Sequence, residues 1–85
     1  MDENRVKVYG TSWCPDTARA RACLERHGVG FTFCDIEQDK QGLAYVEKVN
    51  RGKRSVPTIV FPDGSLLVEP SDEELVARLK ATGCL

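Results

Sequence analysis

The chain has 85 residues, of which 41% are hydrophobic and 29% charged, a size and composition that point to one soluble domain, residues 1–85, with a modest core. A formal net charge of −1 gives no reason to expect nucleic acid or an anionic membrane as a partner, and no apolar run approaches the roughly 20 residues of a membrane span. The polar start, Met1-Asp2-Glu3-Asn4-Arg5, is unlike a secretory signal, so a cytoplasmic monomer is expected.

Residues 5–9, Arg-Val-Lys-Val-Tyr, alternate polar and apolar as a strand does. Residues 15–27 read as a helix, with Pro15 suited to its first position, Asp16 to its electropositive end and Gly28 to its stop. A second strand follows over 30–36. Residues 39–50 carry Leu43, Val46 and Val49 at helical spacing, with Gly52 after the end. Val56 to Phe61 is a strongly apolar third strand, Pro62-Asp63-Gly64-Ser65 a hairpin turn, and Leu66-Leu67-Val68 the fourth strand. Ser71-Asp72-Glu73-Glu74 is a capping box opening a last helix whose apolar face holds Leu75, Val76 and Leu79. The order is β-α-β-α-β-β-α. A βαβ unit implies parallel strands with a right-handed crossover, and a hairpin implies an antiparallel pair. The expected architecture is α/β: a mixed four-stranded sheet with helices on both faces.

Four cysteines are present, Cys14, Cys23, Cys34 and Cys84, with one histidine, His27. No Cys-x-x-Cys pair exists, and no set of ligands has zinc-site spacing, so no metal is expected. Without a secretory signal the thiols are expected to stay reduced. Cys14 stands where a strand gives way to a helix. The free N–H groups and partial positive charge there favour a thiolate, while the charge of Asp16 opposes it. Cys23 lies nine residues further along the same helix. That is about 13 Å of rise and half a turn of rotation, too far for a disulfide, whose Cα atoms lie within about 7 Å. Cys23 and Cys34 read as core residues, and Cys84 as part of a frayed tail that could oxidise between molecules. Lys7, Arg19, Arg21 and Arg26 read as solvated charges. Trp13 either shields the thiol, meets a partner or packs half-buried. Val56-Pro57 alone reads as a trans proline at a strand's first position.

Two stretches, Tyr9-Gly-Thr-Ser-Trp-Cys-Pro-Asp-Thr17 and Arg54-Ser-Val-Pro-Thr-Ile-Val-Phe61, resemble the two signatures of the glutaredoxins of the thioredoxin superfamily. The segment from Pro62 to Leu75 is most similar to the short bacterial glutaredoxin-like proteins that include mycoredoxins. It lacks the Gly-Gly that usual glutaredoxins carry before the last helix. The resemblance implies the thioredoxin-like fold, a Val56-Pro57 peptide that is cis and faces Cys14, and a substrate backbone paired with Val56. It implies that Arg54 or a neighbour, Arg51 or Lys53, holds a carboxylate or other polar group of a small thiol, although the three also read as a solvated basic loop, and that Ser71 and Asp72 meet the outer end of that thiol; Ser71 also reads as a plain N-cap. It implies no tightly bound cofactor, but glutathione or mycothiol as co-substrate and mixed-disulfide proteins as partners. Thr17 stands where a dithiol site has its second cysteine and can at most donate an O–H to the thiolate. The chemistry left is monothiol: Cys14 attacks the protein sulfur of a mixed disulfide or takes up the small thiol, which a second small thiol then releases. A non-enzymatic alternative is [2Fe–2S] binding, as in glutaredoxins with Cys-Gly-Phe-Ser, although Pro15 replaces that glycine. A further alternative is a catalytically weak thiol-binding domain.

Overall fold

A computed structural model describes residues 5–85; the polar start over 1–4 lies outside the described residues. The elements are β1 (Val6–Gly10), α1 (Pro15–Arg26), β2 (Phe31–Asp35), α2 (Lys40–Val49), β3 (Thr58–Val60), β4 (Leu66–Val68) and α3 (Asp72–Ala81). The sheet order is β2-β1-β3-β4. β1 runs parallel to β2, with Tyr9 beside Cys34, and antiparallel to β3, with Tyr9 beside Thr58. β3 and β4 form the expected hairpin.

Alternation along β1 sorts the layers. Val6 and Val8 are buried on one face with Ile59, against Ala20, Cys23 and Leu24 of α1 and Leu75 and Leu79 of α3. The other face of β1 carries Lys7 and Tyr9, and α2 lies there: the Tyr9 and Tyr45 rings are 5.0 Å apart. Asn50, the C-cap of α2, donates from Nδ2 to Thr58 Oγ1 at 3.1 Å. Helices thus cover both faces, as the sequence predicts.

The helix ends follow local chemistry. α1 and α3 close with the same motif. The N–H of Val29 donates to Leu24 O and that of Gly28 to Glu25 O; Cys84 and Gly83 repeat this on Leu79 O and Lys80 O. Gly28 and Gly83 sit at φ 71° and 79°, where a side chain would be strained. Ser71 and Glu74 exchange both hydrogen bonds of the expected capping box.

Four expectations need correction. The third strand starts at Thr58, not Val56. Proline has no N–H for the ladder, and Thr58 Oγ1 turns the chain by donating to Ser55 O at 2.7 Å. Cys34 is not core: β2 is an edge strand, and its sulfur lies on the α2 face, outside the main cluster. Cys84 is not on a frayed tail, because the α3 cap holds its N–H and its side chain packs against the core. Arg21 is not simply solvated; its guanidinium lies 4.0 Å from the centre of the Phe33 ring.

Candidate active site

β1 ends at Gly10, and residues 11–13 carry the chain over the sheet's end into α1. Cys14 is the N-cap of α1 in extended conformation (φ −76°, ψ 122°), and Pro15 fills the first helical position. The Cys14 carbonyl accepts the first helical bond, from Ala18 N–H at 3.0 Å. Its half-exposed sulfur makes no formal cap bond. It nevertheless faces first-turn donors, and its pKa falls below the ordinary value. The Thr17 N–H is the largest cause, opposed by partial burial; the Thr17 hydroxyl and the Asp16 N–H lower it further, and the Asp16 charge opposes weakly.

Thr17 is fully buried, and its Oγ1 has no partner within hydrogen-bonding geometry among the described residues. The hydroxyl therefore acts on the sulfur as a nearby dipole rather than through a formed bond. Any Cβ at position 10 would collide with the Thr17 side chain, so Gly10 lets the first turn of α1 sit directly on the strand. Thr11 Oγ1 is the second buried hydroxyl without a partner at this end of the sheet.

A groove of about 480 Å³ adjoins the loop that precedes Cys14. Thr11, Trp13, Ile36, Glu37, Lys40, Leu43, Arg54 and Val56 line it. Three of the residues singled out from the sequence, Trp13, Arg54 and Val56, therefore come together. Trp13 does not pack half-buried: it is 68% exposed, and its indole N–H donates to Glu37 Oε1 at 3.0 Å. Arg54 Nε lies 3.4 Å from Glu47 Oε2. The Val56-Pro57 peptide is cis, and Pro57 is buried. Pairing of Tyr9 with Thr58 sets Pro57 across from the end of β1, where the Cys14 loop begins. Glu69 N–H donates to Pro57 O at 2.9 Å, which ties the approach to α3 to the same place.

Ser71 and Asp72 do not line this groove. The Ser71 hydroxyl is engaged in its cap. The Asp72 carboxylate lies 3.9 Å from Arg19 and 3.6 Å from Arg26, across the α1–α3 contact. Sequence reading missed Glu37 and Lys40. The signal was topological: parallel pairing of β1 and β2 sets the loop after β2 beside the loop after β1, and Ile36 N–H indeed donates to Gly10 O at 3.0 Å.

The other thiols are placed differently. Cys23 is fully buried, and burial pushes its pKa up. Cys34 donates to Asp39 Oδ2 at 3.1 Å. Its pKa is pushed up to about 11, first by burial, then by the bond to Asp39 and by the charges of Asp39 and Asp35, with Lys7 opposing. All four cysteines are free. Among the described residues, no group of three His, Cys, Asp or Glu side chains could hold a metal ion, and no helix is long and apolar enough to cross a membrane.

The glutaredoxin family model matches residues 6–67. A Mycobacterium tuberculosis (strain H37Rv) protein named as a glutaredoxin is 39% identical over 74 residues, 87% of this chain and 88% of that one. Mycoredoxin 1 of Corynebacterium glutamicum is 32% identical over 78 residues, 92% of this chain and 96% of its own. The crystal structure of a glutaredoxin from Archaeoglobus fulgidus superposes with a TM-score of 0.70 at 31% identity, covering 87% of this chain and 84% of that one.

Proposed function

The chain belongs to the glutaredoxin family of thiol–disulfide oxidoreductases, and on that premise we propose that it removes a low-molecular-weight thiol from protein mixed disulfides by a monothiol mechanism. The Cys14 thiolate attacks the small-thiol sulfur of the mixed disulfide. The protein cysteine leaves as a thiolate and takes up a proton, and Cys14 now carries the small thiol as its own mixed disulfide. A second small thiol, as thiolate, attacks that small-thiol sulfur. It releases the Cys14 thiolate and leaves a symmetrical small-thiol disulfide, so the two electrons come from two small thiols.

The observation that carries this reading is the isolation of Cys14. Its thiolate is favoured at an open helix end, and Thr17 stands where a resolving thiol would have to be. A free thiol one turn on would attack the Cys14 mixed disulfide from within; a hydroxyl has no such nucleophilicity at neutral pH.

The groove supports the choice of sulfur. It has room for a small molecule and offers two cations, Lys40 and Arg54, beside the apolar surfaces of Ile36, Leu43 and Val56. A small thiol seated there with its own sulfur toward Cys14 leaves the protein cysteine as the departing group. In this reading Trp13 and Arg54 contact the small thiol, and the Val56 backbone before Pro57 pairs with its cysteine moiety as an added rung. Pro15 fixes the first turn that presents the donors. The Ser71 capping box uses the N–H groups of Ser71 and Glu74, and the first-turn N–H of Asp72 is left to meet an acceptor at the outer end of the thiol. Glutathione and mycothiol are the two candidates, the second favoured by the likeness to mycoredoxin 1.

The test is release of each thiol from a defined peptide mixed disulfide, with the same free thiol as reductant. Turnover with one thiol, lost in Cys14→Ser, is expected. Turnover that survives Cys14→Ser would remove the proposal.

A further inference from the structure

Trp13 is the single tryptophan of the chain and is 68% exposed. An indole so exposed has little packing to hold its ring, and side-chain rotation at that level of exposure is fast. Among the described residues the Trp13 indole makes one hydrogen bond, to Glu37 Oε1. Glu37 is in turn held by its backbone, whose N–H donates to Asp35 Oδ1 at 3.0 Å at the end of β2. Residues 38 and 39 also turn back onto the Asp35 carbonyl, at 3.0 and 2.9 Å. The turn therefore presents one carboxylate to the indole, and both residues line the groove that adjoins the loop before Cys14.

We infer that Glu37 is a positioning residue for thiol–disulfide exchange: it holds the Trp13 ring as a fixed wall of the thiol groove. The inference rests on the groove's being the thiol site, as proposed above. Glu37 needs no contact with the reacting sulfurs. With the ring fixed, an incoming thiol meets a preformed apolar wall next to Cys14 and does not have to order that wall on binding. With the ring free, the groove is present only part of the time, and apparent affinity falls by that fraction. The chemistry at Cys14, set by the Thr17 and Asp16 donors on another element, stays as it was.

Two variants separate a tether from a charge. Glu37→Gln keeps an acceptor oxygen for the indole and removes the charge; Glu37→Leu removes the acceptor. Fluorescence anisotropy and acrylamide quenching read Trp13 alone, since no other tryptophan is present, and far-ultraviolet circular dichroism and the urea midpoint confirm the fold. Steady-state turnover uses peptide mixed disulfides of glutathione and of mycothiol. In Glu37→Leu, lower anisotropy, stronger quenching and a KM raised about fivefold with kcat within about twofold are expected, as lost wall preorganisation requires. Glu37→Gln should stay within about twofold of the parent on every readout, because the acceptor is kept. Unchanged anisotropy and quenching in a folded Glu37→Leu would overturn the inference, as would a Gln variant that behaves like the Leu variant. Loss of anisotropy with no change in KM would show that the tether exists but that the groove is not the thiol site, a failure of the functional reading and of the inference's role for Trp13. A parent with no turnover on either substrate would remove the functional reading and with it the role of Glu37 in exchange, while the fluorescence pair would still decide separately whether Glu37 holds Trp13.

Discussion

Cys14 and Cys34 are pushed in opposite directions by the same kinds of force. At Cys14, N–H groups of the first helical turn outweigh partial burial and the charge of Asp16. At Cys34, burial and a neighbouring carboxylate hold the proton on, to about pH 11. Iodoacetamide should therefore modify Cys14 first, with a rate–pH midpoint below that of a free cysteine; mass spectrometry of tryptic peptides checks both order and midpoint. The linkage sign for Cys34 is set by a folded pKa above the ordinary 9.0. Its contribution to stability is whole below about pH 9 and is lost as pH climbs through about 11. Cys34→Ala should flatten the fall of Tm across that window, and an equally steep fall would mean that Cys34 is not the group responsible. Thr17 sets function against stability. Thr17→Val keeps the shape and removes a buried hydroxyl that has no partner, so it should raise stability by about 1 kcal/mol. It should also raise the Cys14 pKa. A midpoint that falls on urea titration would show that the hydroxyl has a partner after all.

Element by element, the pattern of the chain was readable wherever local chemistry decides structure. Pro15 and Gly28 bracket α1, and Ser71 with Glu74 marks the start of α3, because caps satisfy backbone groups within a few residues of themselves. Ser71→Ala should cost about 1 kcal/mol of stability, measured by urea denaturation. If the Asp72 N–H meets the outer end of the thiol, KM should rise modestly with it as the helix start loosens; an unchanged KM would confine Ser71 to capping. Hydrophobicity alone extends the third strand back to Val56, whereas Pro57 and the Thr58–Ser55 bond delay the start of the ladder by two residues, to Thr58. That same shortfall leaves Val56 free to line the groove. Cys34 falls outside the core, and alternation does not say which face of an edge strand the larger core covers.

At the scale of the whole molecule, the site is a product of strand order. Putting β1 between β2 and β3 brings together the loop after β1, the loop after β2 and the segment before β3. Cys14 at a helix start was legible as chemistry in the sequence, whereas the cis Val56-Pro57 peptide was legible only through the family resemblance. Glu37 and Lys40 were not legible, because their role comes from a neighbour far along the chain. Cys23 belongs to the main cluster with Val8 and Leu24, so Cys23→Ser should lower stability by about 1–3 kcal/mol and leave turnover unchanged.

The central claim is that Cys14 works without a resolving thiol, and intact-protein mass spectrometry tests it most directly. The reduced protein is mixed with one equivalent of a peptide–glutathione or peptide–mycothiol disulfide, quenched with acid and weighed, alongside Thr17→Cys. The account predicts that the parent accumulates one small-thiol adduct, mapped to Cys14, that persists until free thiol is added. Thr17→Cys, with a second sulfur one turn away, should instead lose the adduct to an internal disulfide, two hydrogens lighter than the reduced chain. A parent that itself passes to the internal disulfide would mean that another of its cysteines reaches Cys14, and would contradict the monothiol mechanism.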